Sequence, residues 1–440
     1  MARYSRCFVI VAILLTCITA CGLPGSSGKN ASSENTGNTV SAAPAGSSSA
    51  PPPITTCPAD LSKFSGCYTP YRFQLAYGLR SLLDKGYTGK GQTIIDIVSF
   101  GSPTLQKDMD VFSQQFGLPQ TTIQVISPLN VKEYDPRGDK PGWASETTLD
   151  VQIIHAIAPD AKIVVLQSPV AETEGTIGLP EFRQLEQYVI DHKLGNIISQ
   201  SWGASELTLQ DSASQRELKL WNDLFQNGTT RHGITYFSSS GDAGATDYAD
   251  LDGKQLAQVQ TTSFAPDSPW VTSVGGTTLL QKNGTFTERG WSGSGGGFSK
   301  FYQTPDYQKS LPASTQQQFN NRRGVPDVSA AADPYTGLAF YQAGAWSVAG
   351  GTSASAPLWS GIAAIANQVA GHPLGFINPA LYKLAASGTY AQDFRDVTVG
   401  DNSNPAARVK GFPAAQGWDP ITGLGSPNAE KLIPDLIKAA

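Results

Sequence analysis

Five continuous apolar segments, rich in β-branched residues, recur along the chain and predict its strands. They cover residues 93–100, 162–166, 196–201, 234–238 and 270–274. Continuous apolar runs are typical of strands covered on both faces, as in parallel sheets. Helical patterns lie between several of them, for example at 146–157 and 181–192. This alternation predicts an α/β fold: a doubly wound, mainly parallel sheet with helices on both faces. Sites in such sheets form at the carboxyl ends of the strands.

The composition narrows the classes of function. The chain has 440 residues, of which 15% are charged, with a net charge of −5, 45 glycines and 29 prolines. These values are typical of a compact, loop-rich globule and argue against a coiled coil. No cluster of Lys and Arg is available to neutralise phosphates, so we expect no nucleic-acid partner.

The N-terminal segment predicts export. Arg3 and Arg6 precede an apolar run at 8–20 that is too short to span a bilayer as a helix. The run ends in Ile-Thr-Ala before Cys21, which resembles a bacterial lipobox, where cleavage leaves the cysteine as the lipidated first residue. We therefore expect a lipoprotein signal peptide at 1–20 and an exported protein, lipid-anchored at the extracellular face of a bacterial membrane. An ordinary secretory signal is the alternative.

Residues 21–56 consist mostly of Gly, Ser, Ala, Pro and Asn. Such a segment lacks the large apolar side chains of a core, so it predicts a flexible tether. The remaining residues, 57–440, predict a single domain. With Cys21 acylated, Cys57 and Cys67 are left as a pair in an exported protein, and we expect a disulfide between them rather than two free thiols.

The segment 350–357, Gly-Gly-Thr-Ser-Ala-Ser-Ala-Pro, predicts a serine nucleophile at the start of a helix. Its glycines allow a sharp turn, and Ser353 lies where the first N–H groups of the helix can face a developing negative charge. Subtilisin-type hydrolases have their serine in a similar setting, with a histidine as its base. No histidine here occurs in their His-Gly-Thr-His context; the four are His155, His192, His232 and His372. Another group must therefore accept the serine proton.

Glu146 and Asp150 are four residues apart in a helical pattern, so they lie on one side of the helix. A solvated face is the ordinary explanation of such a pair. Beside a serine without a histidine, Glu146 can act as the base and Asp150 can orient it, since adjacent carboxyls titrate as a coupled unit. The competing base, His155, lies about 180° around the helix from Glu146. We interpret it as a packed or surface residue.

Asp242 follows the apolar segment 234–238, within Ser-Ser-Gly-Asp-Ala-Gly. A Gly-Asp pair at the end of a strand is usually a turn. The functional interpretation is a donor to the oxyanion of a tetrahedral intermediate. Only a protonated carboxyl can donate a hydrogen bond, so this role requires low pH or a raised pKa.

These features together resemble the sedolisin family of serine-carboxyl peptidases over nearly all of residues 57–440. Further family-like segments are 68–70, 158–161, 201–203, 241–242, 274–277, 290–299 and 323–328. The resemblance implies a subtilisin-like fold and an endopeptidase that hydrolyses protein or peptide substrates at acidic pH. We expect a monomer.

The resemblance also assigns roles to residues. Its catalytic triad maps onto Glu146, Asp150 and Ser353, with Asp242 at the oxyanion hole. The segment expected to line the substrate cleft consists of Ser201, Trp202 and Gly203.

A calcium site near the C-terminus is a further implication of the resemblance. One Ca²⁺ would be held by the side chains of Asp396 and Asp419 and by the carbonyls of Val397, Ala415 and Gly417. Carboxylates and carbonyls suit this hard cation. Position 415 is often glycine in the family, so the alanine must tolerate the backbone angles. A simple Asp-containing turn is the alternative.

The sequence departs from the family pattern in two respects. We expect no propeptide domain, because only the tether precedes Cys57. Some relatives also extend the carboxyl network with an acid after the first core strand; Val98 and Ser99 lie there, so we expect that extension to be absent.

The sequence leaves two other classes of function as alternatives. A catalytically silent surface-binding protein on a peptidase scaffold is one alternative, although all the expected catalytic groups are intact. A glycosidase is the other. Glycosidases need two carboxyls on opposite sides of the scissile bond, whereas Glu146 and Asp150 are one helical turn apart.

Overall fold

The computed structural model describes residues 53–62, 64 and 66–440. The expected signal peptide at 1–20, the acylated Cys21 and most of the expected tether lie outside these residues. No helix within the described ranges is long and apolar enough to cross a membrane. Near the start of the described chain, a disulfide joins Cys57 and Cys67, whose Cα atoms are 6.4 Å apart.

The strands and helices are numbered in chain order. Strands β1–β16 are Thr93–Ser99, Gln124–Ile126, Lys162–Ser168, Ile197–Gln200, Ala204–Ser205, Thr235–Ser239, Ser263–Phe264, Thr272–Lys282, Thr285–Gly290, Gly297–Gln303, Arg322–Val325, Val328–Ala331, Ala339–Gln342, Ala345–Val348, Phe394–Arg395 and Ser426–Pro427. Helices α1–α11 are Pro70–Ala76, Arg80–Leu83, Leu105–Phe116, Lys140–Ile157, Leu179–His192, Ser212–His232, Ala313–Phe319, Thr352–Ala370, Asn378–Ala385, Tyr390–Asp393 and Ala429–Ala439. Short 3₁₀ helices occur at Ala59–Leu61, Glu206–Thr208 and Asp306–Ser310.

The central sheet has the strand order β2-β3-β1-β4-β6-β8-β12, and all these neighbours are parallel. Each of the five apolar segments contributes one of its strands, namely β1, β3, β4, β6 and β8, so the predicted mainly parallel α/β sheet is confirmed. The prediction ended β8 too early. Beyond position 274 the strand continues and pairs antiparallel with β9 through a turn at Asn283 and Gly284, both with positive φ.

Helices cover both faces of the sheet. The side chains of β1 alternate between two hydrophobic clusters, because successive residues of a strand point to opposite faces. Ile94 and Val98 join the cluster that includes residues of α4 and α8. Ile95 and Ile97 join the cluster that includes residues of α5 and α6. Asp96 lies between Ile94 and Val98 on the first face, so its carboxyl points toward α4.

Candidate active site

Ser353 is the second residue of α8 and is half-buried. The turn before it depends on Gly351, which has a φ of 84°. A Cβ at this position would lie 2.5 Å from Oδ2 of Asp242. The Gly351 N–H donates to the carbonyl of Ala332 at 2.7 Å, which fixes the turn against the end of β12. The glycine therefore allows the helix start to approach the Asp242 loop closely.

Helix α4 brings the two acids of the Glu-x-x-x-Asp pattern to this serine. The hydroxyls of Ser353 and Ser201 lie close enough to the Glu146 carboxyl for hydrogen bonding to lower its pKa. Asp150 is fully buried one turn later, and its Oδ1 accepts a hydrogen bond from Ser201 Oγ at 3.0 Å. Ser201 Oγ also lies 3.4 Å from the carbonyl oxygen of Ser353. Ser201 thus links both acids to the start of α8, a positioning contact that the sequence did not predict.

Burial sets the protonation of these acids. It raises the pKa of Glu146 to about 7, and the charge of Asp242 acts in the same direction, whereas the hydrogen bonds from Ser353 and Ser201 lower it. Burial also holds the pKa of Asp150 well above its usual range, with further contributions from the charges of Asp96 and Glu146. Carboxyls in such an environment share protons instead of ionising together.

Asp96 corrects the expectation that the carboxyl network ends at Asp150. It is fully buried on β1, and its carboxyl lies close enough to that of Asp150 for each to shift the other's pKa. Two carboxyls can share a hydrogen bond only if one of them is protonated. Burial raises the pKa of Asp96 well above its usual range. Although Val98 is apolar, Asp96 two residues earlier points to the same face and supplies a third acid.

Asp242 lies just after β6 and is connected to α8 through Thr352. Its Oδ1 accepts hydrogen bonds from the Thr352 N–H at 2.7 Å and from Thr352 Oγ1 at 2.9 Å. Asp242 is exposed as a residue, whereas the protein around its carboxyl keeps part of the solvent away from it. This partial burial raises its pKa, and the bonds from Thr352 oppose the shift. The structure thus places Asp242 next to the residue that precedes Ser353.

The segment after β4 differs in part from the expected cleft lining. The Trp202 indole is only 4% exposed, with ring centroids 5.1 Å from Phe182 and 5.4 Å from Trp221. The Trp202 side chain therefore packs in the core, so only the backbone of this residue is left to line a cleft. Gly203 is half-buried, and a Cβ there would lie 2.8 Å from the carbonyl oxygen of Phe264.

No histidine of the chain hydrogen-bonds to Ser353 in the structure. His155 is fully buried, and its Nε2 lies 2.9 Å from the carbonyl oxygen of Pro119. Burial lowers its pKa to about 4, so its imidazole is neutral at neutral pH. The interpretation of His155 as a packed residue is correct.

The segment expected to bind calcium brings two acids to one loop. The Gly417 N–H lies 3.1 Å from both carboxylate oxygens of Asp396. Asp419 is 1% exposed, and its Oδ2 accepts from the Ala415 N–H at 3.2 Å. Burial raises the pKa of Asp419 to about 6, although backbone N–H groups, including that of Thr422, oppose the shift.

Three backbone carbonyl oxygens of this segment could accept a further bond, for example from a cation. No hydrogen bond within the described part of the chain ends on the carbonyl oxygens of Val397, Ala415 or Gly417. Ala415 is not among the residues with positive φ, so an alanine is tolerated there. No group of three or more His, Cys, Asp and Glu side chains that could hold a metal occurs in the described ranges. A cation here would depend on two carboxylates and on carbonyls, which fits the oxygen preference of Ca²⁺.

Comparison with known proteins agrees with this geometry. Residues 141–385, more than half of the chain, match the subtilase family. The structure resembles that of Pseudomonas sedolisin, described as a serine-carboxyl proteinase complexed with two molecules of pseudo-iodotyrostatin, with a TM-score of 0.71 and 25% sequence identity, covering 84% of this chain and 97% of that one. The chain belongs to the subtilase family, in its sedolisin branch.

Two sedolisin-family relatives illustrate the extent of the match. Kumamolisin from Bacillus sp. (strain MN-32) is 32% identical over 382 residues, which cover 85% of this chain and 64% of the relative. Tripeptidyl-peptidase 1 from Canis lupus familiaris is 32% identical over 312 residues, which cover 67% of this chain and 52% of the relative. The chain thus spans between half and two thirds of the length of these relatives.

Proposed function

We propose that the protein is a serine-carboxyl endopeptidase that hydrolyses peptide bonds of protein or peptide substrates at acidic pH. The observation that carries this proposal is the position of the Glu146 carboxyl, which lies close enough to the Ser353 hydroxyl for hydrogen bonding to lower its pKa. A carboxylate in this position can accept the proton that a histidine accepts in other serine peptidases.

The reaction proceeds in two steps. Ser353 Oγ attacks the scissile carbonyl carbon while its proton passes to Glu146, and the resulting oxyanion accepts hydrogen bonds from protonated Asp242 and from N–H groups at the start of α8. Glu146 then donates the proton to the leaving amine as the C–N bond breaks, which leaves an acyl-enzyme. In the second step Glu146 takes a proton from water, the water oxygen attacks the ester, and Ser353 leaves with its proton restored.

The requirement for acid follows from the two carboxyls. Glu146 must be ionised to act as base, whereas Asp242 must keep its proton to donate to the oxyanion. Burial, followed by the charge of Asp242, raises the pKa of Glu146 to about 7, so in acid the form with Glu146 ionised and Asp242 protonated is a minor one; the hydrogen bonds from Ser353 and Ser201, which lower the pKa of Glu146, favour it, and we propose that this form is the reactive one. Raising the pH ionises Asp242 and removes the donor. Activity therefore falls toward neutral pH, and it also falls in strong acid, where Glu146 is protonated.

The test is digestion of a denatured protein and of a quenched peptide between pH 3 and pH 8. We expect a maximum in acid that is lost in Ser353→Ala and kept in Ser212→Ala, a matched change of an exposed serine at the start of α6. Full proteolysis by Ser353→Ala would contradict the proposal. The absence of cleavage by the folded wild-type protein at every pH would instead favour a silent binding protein.

We further propose that the protein binds one Ca²⁺ through Asp396 and Asp419, with the carbonyls of Val397, Ala415 and Gly417. Support comes from the buried Asp419 carboxyl and from the three carbonyl oxygens that accept no hydrogen bond within the described residues. Such an ion would tie the Asp396 segment to the 415–419 loop and stabilise the fold.

Export and lipid anchoring through Cys21 are also proposed, on the basis of the sequence before the described residues. Mass spectrometry of the mature protein tests this directly. We expect an N-terminal, acylated Cys21, and a mature protein that begins at another residue would contradict the proposal.

A further inference from the structure

A glutamate that the proposed mechanism does not use is buried in the hydrophobic core under α5. Glu186 of α5 is 0% exposed, and so is Gln200, the last residue of β4. Gln200 Nε2 donates a hydrogen bond to Glu186 Oε1. We call these two residues the acid–amide pair. Phe182 and Val189, one turn before and after Glu186 on the same helix, belong to the hydrophobic cluster on this face of the sheet. The pair therefore lies in an apolar environment.

One oxygen of each side chain in the acid–amide pair is left over. Glu186 Oε2 and Gln200 Oε1 are buried, and neither has a hydrogen-bond partner within the described residues. Both atoms are acceptors if Glu186 is ionised, so neither can satisfy the other. A buried polar atom without a partner is costly, and a buried charge without one costs more. A proton on Glu186 Oε2 turns that atom into a donor for the amide oxygen, and the two side chains then satisfy each other through two hydrogen bonds.

The surroundings of Glu186 favour the protonated form. Burial raises its pKa well above the usual range, and no charged group is a cause of that shift. Between α5 and α6, Arg183 is paired with Glu217 at 2.7 Å. Tyr236 of β6 faces Glu186, and burial together with the charge of Glu186 raises the pKa of its hydroxyl well above the usual range, so it is neutral. The buried side chains that β1 and β3 contribute to this cluster are the apolar Ile95, Ile97, Val164 and Leu166.

The acid–amide pair adjoins a residue of the catalytic site in the sequence. Gln200 and Trp202 both point to the face of the sheet that α5 covers, so Ser201 between them points to the other face. There Ser201 Oγ donates to Asp150 Oδ1 at 3.0 Å. The Trp202 ring packs on Phe182 of α5, with centroids 5.1 Å apart. Both sequence neighbours of Ser201 are thus anchored to the same helix.

We propose that Glu186 is a positioning residue: as a neutral carboxylic acid it donates to Gln200 Oε1 and accepts from Gln200 Nε2, and the closed pair fixes Ser201 against the catalytic acids. The inference rests on the proposed peptidase function, because Ser201 acts there on Asp150 and Glu146. Ionisation of Glu186 removes one of the two hydrogen bonds and leaves a buried charge without a partner. The end of β4 then loosens, and the contacts of Ser201 are lost as the pH rises.

The protonation of the acid–amide pair is tested without an activity assay. Thermal unfolding from pH 4 to pH 9 is compared for wild type, Glu186→Gln and the control Glu181→Gln, which changes a half-buried acid at the start of the same helix. A glutamine at 186 can form the same two hydrogen bonds but has no proton to lose. A raised pKa adds stability that is present in acid and lost as the pH rises. We therefore expect the Tm to fall less steeply in Glu186→Gln than in wild type and the control. Equal slopes overturn the neutral pair, whether or not the chain is a peptidase.

The effect of the acid–amide pair on Ser201 is tested by a double-mutant cycle. Glu186→Leu leaves the Gln200 amide unpaired, and we expect kcat/KM to fall about 10- to 100-fold, mainly through kcat. The acidic limb of the pH–rate profile should move to higher pH, because a displaced Ser201 no longer lowers the pKa of Glu146. Glu186→Gln and the control Glu181→Leu should keep the activity of wild type. In a Ser201→Ala background, Glu186→Leu should cause no further loss, since its effect passes through Ser201.

The outcomes separate the positioning role from the peptidase function. Losses in Glu186→Leu and Ser201→Ala that multiply in the double variant overturn the positioning role and leave the peptidase intact. If Glu186→Leu does not fold, Glu186→Gln decides: a folded Glu186→Gln that is about 10-fold slower than wild type overturns the closed pair. Cleavage that survives Ser353→Ala overturns the peptidase function instead, and the comparison of Tm slopes still tests the protonation of Glu186.

Discussion

Ser201 Oγ donates a hydrogen bond to Asp150 Oδ1 at 3.0 Å. The same hydroxyl oxygen lies 3.4 Å from the Ser353 carbonyl oxygen and close enough to Glu146 to lower the pKa of its carboxyl, so one side chain is near both acids and the segment of the nucleophile. In the proposed mechanism this contact stabilises the ionised form of Glu146, because a hydrogen bond to a carboxylate lowers its pKa.

Replacing Ser201 by alanine tests that role. We expect Ser201→Ala to reduce kcat/KM about 10- to 100-fold, since a hydrogen bond to a charged group contributes about 1.5–3 kcal/mol. The pKa of Glu146 should rise further, which moves the acidic limb of the pH–rate profile to higher pH. A uniform loss of activity with an unmoved profile would indicate a purely structural role. Ser212→Ala is the control.

A side chain larger than glycine in the turn before the nucleophile should clash with Asp242. Gly351→Ala would bring a methyl group to 2.5 Å from Asp242 Oδ2, so it should displace the carboxyl and abolish most activity. Gly371→Ala is the matched control: Gly371 also has positive φ, 75°, at the other end of α8, but no atom lies within 4 Å of its added Cβ. Gly371→Ala should lose about 1–2 kcal/mol of stability, the cost of the left-handed conformation, and Gly351→Ala about 1–3 kcal/mol, because its φ of 84° and ψ of 161° lie in a region that is nearly restricted to glycine. Equal peptidase rates in the two variants would contradict the placement of Asp242.

The buried pair of Asp96 and Asp150 predicts a dependence of stability on pH. Their pKa values are raised in the folded protein, so the folded state binds more protons than the unfolded state between the ordinary and the raised pKa values. This contribution to stability is therefore fully present in acid and is lost as the pH rises.

Thermal unfolding from pH 4 to pH 8 measures this effect. We expect the Tm of wild type to fall with rising pH and Asp96→Asn to show a shallower fall, since the asparagine has no proton to lose. Asp252→Asn, on an exposed loop, should follow wild type. A slope that is identical in Asp96→Asn and wild type would exclude a shared proton between the two carboxyls.

Calcium removal gives a prediction that is independent of catalysis. A chelator should lower the Tm of wild type, and added Ca²⁺ should restore it, because an ion that binds only the folded state stabilises it by mass action. Asp419→Asn should make the Tm insensitive to the chelator. A chelator response that persists in this variant would place the ion elsewhere, and no response in wild type would contradict the calcium proposal.

The sheet was predictable because its strands are buried on both faces, which leaves continuous apolar runs in the sequence. The spacing of Glu146 and Asp150 was equally informative, since four residues is one helical turn. Asp96 was missed because the additional acid was expected after the first core strand, where Val98 and Ser99 lie. Its signal was nevertheless present: a single acid within Thr-Ile-Ile-Asp-Ile-Val is a charge in a fully buried strand.

Other parts of the site depend on tertiary packing. The motif predicted that the segment 201–203 lines the cleft, but it could not predict that the large apolar ring of Trp202 packs against Phe182 of α5 and Trp221 of α6. Glu174 and Asp247 are far apart in sequence, but they accept hydrogen bonds from Ser205 and Ser263, which face each other in the pairing of β5 with β7. No local pattern contains such a contact.

The most direct test of the central claim compares the pH–rate profile of Glu146→Gln with that of wild type. The Tm of each protein is measured first, to show that both are folded at the temperature of the assay. We expect the activity of wild type to be highest in acid, and kcat/KM of the variant to be about 10²- to 10⁴-fold lower, which is the contribution of a general base. A variant that cleaves as fast as wild type, with both proteins most active above neutral pH, would contradict it.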